Sequence, residues 1–264
     1  MGDLRLREIW IYPIKSLGGI RLPTSPVMEK GLRHDRRWML VDEHDTFMTQ
    51  RVHPRMALFK MGIGSQLTVT FSEHSIRIPI DHPGTGGRVK TKVWDDDVEV
   101  LESSASSSEW FSEMLGVKCK LVSFPEENVR DVDPEYRINL EQVSLADGYP
   151  FLIIGEQSLA DLNKRLKDPL PMNRFRPNLV FSGGKPFEED AWRNFSIGRN
   201  RFIGVKPCGR CAVTTVNQDT GEKGKEPLAT LSTYRKRDGE VYFGQNVIAI
   251  DHGEIFEGDE IVLG

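Results

Sequence analysis

The stretch SQLTVTFSEHSIRIPI, residues 65–80, most constrains what this chain can become. Leu67, Val69 and Phe71 fall on one face of an extended segment, and Ile76, Ile78 and Ile80 on one face of the next. Such alternation marks strands buried on one side, and the polar SEHS between them closes a hairpin. Similar short segments recur throughout: REIWIYPIK, RRWMLVDE, TKVWDDDVEVLE, KCKLVSF, PFLIIGE, PNLVFSG, RFIGVKP, AVTTVN, YFGQNVIAI and GDEIVLG. Many short strands broken by Gly and Asp turns predict a sandwich or barrel.

Helical signals are few. SSSEWFSEMLG (106–116) puts Trp110, Phe111, Met114 and Leu115 on one face, with serines to cap it and Gly116 to end it. GEQSLADLNKRLKD (155–168) aligns Leu159, Leu162 and Leu166, and EPLATLSTYRKR (226–237) opens on Pro227 and aligns Leu228, Leu231 and Tyr234. These read as helices packed on a β framework, a mostly β, α+β chain. Residues 123–150 are polar and lack periodicity, and read as a linker or long loop. The expected division is therefore a β-rich unit over 1–122 and a second over 123–264.

At 264 residues the chain is long enough to bury a core without staples. Its net charge of -4 argues against a general nucleic-acid binder and leaves room for a local basic pocket. The longest apolar run, FLII at 151–154, is far too short to cross a bilayer. The N-terminus shows no secretory h-region, and Leu6 stands where a myristoylation signal needs Ser or Thr. Three cysteines form no disulfide framework and suit a reducing, cytoplasmic setting.

Two of them, Cys208 and Cys211, make a CxxC in KPCGRCAVTTVN. A structural zinc site wants a second ligand pair, and neither Cys119 nor the histidines at 34, 44, 53, 74, 82 and 252 supply one by spacing. A thiol-exchange pair normally opens a helix, whereas AVTTV reads as strand. Taken alone, the pair reads as two ordinary cysteines at a turn before a strand.

Polar residues at strand ends add to the picture. Lys15 and Ser16 project from the end of EIWIYPIKS, where Pro13 restricts pairing, and suit phosphate as a point charge and a hydroxyl donor. In HDRRWMLV, Arg36 shares a face with Trp38 and Leu40, either paired with Asp35 or open to an anion. In MNRFRPNLV, an extended chain lines up Arg174, Arg176 and Asn178, and Pro177 biases Arg176 toward extended geometry. Three basic tips and a soft thiolate point to one pocket for a ligand with an anionic tail and a metal.

IYPIKSLGG, GLRHDRRWMLVD, LADGYPFLIIGEQSLADLN, NRFRPNLVFSG, CGRCAVTTVNQDTGEKGKEPLATLSTYR and the closing FGQNVIA resemble, in order, the amidoxime-reducing branch of the MOSC-domain family. The resemblance runs from about residue 6 to the end of the chain. It implies an N-terminal β-barrel domain followed by a MOSC β-barrel domain. It implies the molybdenum cofactor, a pterin carrying a dithiolene and a phosphate, with Cys211 as protein ligand to the metal and the catalytic centre. It assigns cofactor contacts to Lys15, Ser16, Arg36, Arg176, Asn178 and Arg210. Gly209 lies in the same loop, Asp147 fits the pattern, and Gly148 and Tyr149 stand where some relatives carry small hydroxyl residues. A family-level association with pyridoxal phosphate comes with the resemblance too. The implied activity is reduction of N-hydroxylated small molecules with electrons from a separate donor protein. The alternative is a cofactor carrier or sulfur-transfer module.

Overall fold

The computed structural model describes residues 3–264 except 82, 83 and 85; Met1, Gly2 and His82 thus lie outside the described residues. The hairpin at 66–79 forms as its alternation dictates. Gln66–Phe71 pairs antiparallel with His74–Pro79, Leu67 opposite Ile78 and Val69 opposite Ile76. Leu67, Val69 and Ile78 are buried in a cluster with Phe59 and Phe111. Lys60–Ile63 completes this three-stranded meander.

TKVWDDDVEVLE, expected as one strand, is instead a hairpin, Arg88–Val93 with Asp96–Glu102. Trp94 sits at the turn with φ +57°, a left-handed conformation that breaks the strand. This hairpin joins Cys119–Ser123 and Trp38–Asp42 in a four-stranded sheet. A third small sheet pairs Thr24–Met28 with Gly31–Leu32 and Glu254–Phe256.

The largest sheet has nine strands. Its central path runs Asn200–Gly209, Glu240–Ala249, Phe151–Gly155, Leu179–Ser182, then Arg5–Ile11. Phe151–Gly155 and Leu179–Ser182 pair in parallel, with the helix Glu156–Asn163 in the crossover between them. The sheet is thus shared along the chain: Leu6, Ile9 and Ile11 pack with Ile153, Leu179, Phe202 and Val247 in one apolar cluster. The fold is mostly β, with three short α-helices among the described residues.

The helix Ala105–Leu115 is capped at Ser104, whose side chain accepts from Ser107 N, and ends at Gly116 with φ +72°. The other two helices are shorter than their periodicity predicts, Glu156–Asn163 and Leu228–Ser232. AVTTV is not a strand: Ala212–Thr215 forms a 3₁₀ turn. Residues 124–150 hold no helix or strand, yet they are no free linker. Val132, Val143 and Leu145 are fully buried. Buried Arg130 binds the carbonyls of Ser144, Ala146 and Asp147 at 2.7, 2.6 and 3.2 Å and fixes the segment's end.

Candidate functional site

A cavity of about 340 Å³ opens where these elements meet. Lys15, Ser16, Arg36, Arg176, Asn178, Arg210 and Cys211 all line it, so residues far apart in sequence converge on one pocket. Six basic side chains line it against two acidic ones, Asp147 and Glu240, in a chain of net charge -4.

Lys15 and Ser16 do not project from a strand end. The strand Arg5–Ile11 stops before Pro13, and both residues lie in the turn that follows, with Ser16 at φ +68°. The turn is held by Lys15 N donating to Trp38 O at 2.7 Å. Gly18 lets the chain pass Phe59, whose carbonyl oxygen would stand 2.4 Å from any Cβ there. Lys15 Nζ donates to Leu145 O at 2.8 Å and Asp147 Oδ1 at 2.5 Å. Burial pulls this ammonium below its ordinary value and Asp147 opposes the fall. Asp147 stands at the mouth, its side chain 68% exposed above a Lys15 that is 7% exposed. The protein packed beneath it strips part of its solvent, which would push its carboxyl up, but on this largely exposed side chain Lys15, Trp94 and Arg36 outweigh that and hold it below the usual carboxylate range.

Arg36 lies in a turn ahead of the strand Trp38–Asp42, with φ +48°. Its guanidinium binds Asp35 Oδ2 at 2.6 Å and Asn178 Oδ1 at 2.9 Å, so it is both salt-bridged and pocket-lining. Asn178 also donates from Nδ2 to Trp10 O at 3.1 Å, tying the pocket to the large sheet. Arg176 does not obey the bias imposed by Pro177: its φ is +54°. Its Nη1 donates to Leu17 O at 2.6 Å, and among the described residues it has no carboxylate partner. Burial pulls its pKa down to about 10. Arg36 and Arg176 each stack on the ring of Tyr12, at 4.5 and 4.2 Å from its centroid. Arg174 does not join them, because its guanidinium binds the carbonyls of Thr214 and Glu226.

The strand Asn200–Gly209 carries Cys208 to the pocket, and the chain then turns through Arg210 and Cys211. Both cysteines are free thiols. Arg210 Nη1 donates to Cys208 Sγ at 2.9 Å and Nη2 to Phe175 O at 2.7 Å, while its Nε is buried without a partner. Burial pushes the Cys208 thiol up, with Arg210 opposing. Among the described residues no group of three or more His, Cys, Asp or Glu side chains converges as a self-contained metal site. A metal carried by a cofactor needs fewer protein ligands, and Cys211 offers one thiolate. The donor set therefore fits a molybdenum cofactor: a buried, carboxylate-free cation for an oxyanion and a free thiol for a soft metal.

Sequence reasoning missed Tyr12, Trp94, Arg51 and the pair Gln50–Gln218. Gln50 Nε2 holds Ser16 O at 2.7 Å, and Gln218 Nε2 returns a bond to Gln50 Oε1 at 2.9 Å. No local pattern singles them out: TQR at 49–51 is an ordinary polar triplet following Phe47 and Met48.

Residues 141–262 match the MOSC domain and residues 3–118 the MOSC N-terminal beta barrel domain. The chain is 33% identical to human mitochondrial amidoxime-reducing component 1 over 97% of its own length and 82% of that protein. It is 33% identical to rat mitochondrial amidoxime reducing component 2, over 89% and 73%. It is also 33% identical to an Arabidopsis thaliana molybdenum cofactor sulfurase, covering 90% of this chain but only 32% of the sulfurase. The chain belongs to the MOSC-domain family. It spans about a third of the sulfurases it matches. Among the described residues no helix is long and apolar enough to cross a membrane.

Proposed function

We propose that the chain is a molybdenum cofactor-dependent reductase of N-hydroxylated small molecules such as amidoximes, hydroxylamines and N-hydroxylated bases, fed by a separate electron-donor protein. The observation that carries this reading is one pocket holding both a buried cation without a carboxylate, Arg176, and a free thiol, Cys211. When bound, the cofactor supplies the two-electron chemistry. The substrate's N–OH becomes N–H: two electrons come from the donor and two protons from solvent, one going to nitrogen and one to the departing hydroxyl, which leaves as water.

The chain's own residues bind, orient and balance charge. Lys15, Ser16, Arg36 and Arg176 hold the cofactor's anionic tail. Asn178 contributes to that contact and aims Arg36 through its Oδ1. Cys211 offers the metal its thiolate, and Arg210 fixes the loop that presents it through Phe175 O. Asp147, held ionised, offsets Lys15 and suits charge balance better than proton donation. Three free thiols fit a reducing, cytoplasmic setting. The similarity to sulfurases favours a second reading, a cofactor-carrier or sulfur-transfer module without reductase activity.

The test is molybdenum per mole of protein, by elemental analysis, for wild type and Cys211→Ala from a cofactor-producing host. Metal in wild type and its loss in the variant are expected. Metal retained in both removes Cys211 as the essential ligand. Turnover of a hydroxylamine with reduced methyl viologen then separates reductase from carrier.

A further inference from the structure

Four of the six basic side chains lining the pocket, Arg51, Arg176, Lys206 and Arg210, have no carboxylate partner among the described residues, and Arg51 stands out among them. Its side chain makes no hydrogen bond or ion pair among the described residues, and its Nε is buried with no partner. It lines the same cavity on a different aromatic support from Arg36 and Arg176. Those two stack on Tyr12, whereas the Arg51 guanidinium lies 4.3 Å from the ring centroid of Trp94. Trp94 is itself fixed, by its Nε1 donating to Asp147 Oδ1 at 3.1 Å and by Phe47 edge-on at 5.1 Å. The backbone that presents Arg51 is fixed as well. Lys223 Nζ binds the Arg51 carbonyl, and the neighbouring Gln50 is locked to Gln218.

A guanidinium stacked on an aromatic ring keeps its N–H edge free for a planar, two-pronged acceptor. Lys15 and Arg36 already have carboxylates in Asp147 and Asp35. Arg176, Lys206 and Arg210 lack one, but their side chains are bonded to Leu17 O, to Tyr136, and to Cys208 Sγ and Phe175 O; Arg51 has neither a carboxylate nor such a bond, and the tail assigned above goes to Lys15, Ser16, Arg36 and Arg176. We propose that Arg51, on its Trp94 platform, is a specificity residue that binds an oxyanion, carboxylate or phosphate, on the substrate itself. This rests on the reductase reading for its substrate class. It adds that the preferred substrates are anionic N-hydroxylated molecules.

The experiment uses cofactor-loaded protein and three probes: neutral N-hydroxybenzamidine, its para-carboxylate and its para-phosphonate. Calorimetry gives each Kd, and reduced methyl viologen gives turnover. At least one charged probe is expected to bind wild type about tenfold tighter than the neutral one, the scale of one charge-assisted hydrogen bond. The stronger of the two names the oxyanion. Arg51→Gln brings the ratio toward one, and Arg51→Lys keeps part of it. A ratio of one in wild type, or an unchanged ratio in Arg51→Gln, overturns the proposal. So does loss of molybdenum in Arg51→Gln, which hands the residue to the cofactor. A charge preference in binding with no turnover of any probe keeps this subsite and sinks the reductase reading. Turnover without charge preference does the reverse.

Discussion

Replacing Arg176 with Met separates a cofactor-binding cation from a structural one. Burial lowers the guanidinium's pKa to about 10, a fall equivalent to roughly 3 kcal/mol against its charged form. Met removes that penalty. It also removes the hydrogen bond to Leu17 O, about 1.5 kcal/mol, and the stack on Tyr12, about 1 kcal/mol. The balance leaves cofactor-free protein within about 1 kcal/mol of wild type. Losing one partner of a true buried ion pair would instead cost about 3–5 kcal/mol. The folded-state value lies below the unfolded one, so the unfolded chain holds the proton more tightly. The penalty is therefore full below about pH 10 and lifts only as pH rises through it. The difference between variant and wild type should thus stay flat from about pH 6 to 9. In loaded protein the sign turns: a lost bond to an oxyanion weakens cofactor binding about 10- to 100-fold, and with it the stabilisation that binding confers. The assay is urea unfolding of both proteins from cofactor-deficient and cofactor-producing hosts, with molybdenum measured in parallel. A cofactor-free variant weaker by more than about 2 kcal/mol, with normal metal content when loaded, refutes the argument.

The Asp147 carboxyl lies below its unfolded-state value, so its contribution is present above the ordinary carboxylate range and lost as pH falls through and below it. Asp147→Asn should flatten the acid limb of a stability-versus-pH curve and lower the charge-paired occupancy of Lys15; an unchanged limb counts against the pairing. Gln50→Ala and Gln218→Ala each leave the other's buried amide oxygen without its donor, at about 1–3 kcal/mol apiece, whereas the double variant should fall well short of their sum. A double-mutant cycle in urea reads this directly, and additivity would show that the amides act independently. Gly18→Ala forces a methyl group against Phe59 O and should shift the Lys15–Ser16 turn, lowering molybdenum content as well as melting temperature. Loss of stability with full metal loading would detach that turn from the cofactor.

Periodicity was readable wherever packing on one face decides the structure. The 66–79 hairpin needed no tertiary information, because its buried residues alternate and its turn is polar. AVTTV misled because β-branched residues favour strands only where a neighbour can pair with them. Here Thr214 Oγ1 and Thr215 Oγ1 donate back to the carbonyls of Cys211 and Ala212 at 2.9 and 2.8 Å, and these local bonds stabilise a turn instead. The helix at 226–237 ends early because residues 236–237 pair with Glu240–Ala249, and Arg235, its N–H still on Leu231 O, turns its side chain to Asp190. The loop at 124–150 looked like a linker because its order comes from Arg130, a charge that pattern reasoning assigns to solvent. The site was legible as separate basic tips and a thiol. Their convergence was inferred from their chemistry, three basic tips and a soft thiolate suiting one ligand, while Arg51 and Trp94 stayed invisible because nothing local distinguishes them from a loop arginine and a strand tryptophan.

The backbone around the pocket shows what such a site demands. Among the described residues nine non-glycine positions have positive φ, and four of them, Ser16, Arg36, Trp94 and Arg176, line this one cavity. Each costs of the order of 1–3 kcal/mol and persists only where the surroundings over-determine it. They do so here. Gln50 holds the Ser16 carbonyl, Arg36 is bonded at both N and O to Tyr12 and Leu145, and Trp94 is tied to Asp147. Glycine would relieve the strain at every one of these positions, but it would delete the hydroxyl, the cations and the ring. Ordinary strand geometry would send Arg36 and Arg176 out along their strands. The left-handed turns instead bring both guanidiniums onto one tyrosine, where Asp35 pairs with Arg36 and leaves Arg176 facing a like charge without a carboxylate of its own. The backbone strain is held by the protein itself, so what an anionic ligand would offset in this pocket is charge, above all at Arg176, which has no carboxylate of its own among the described residues.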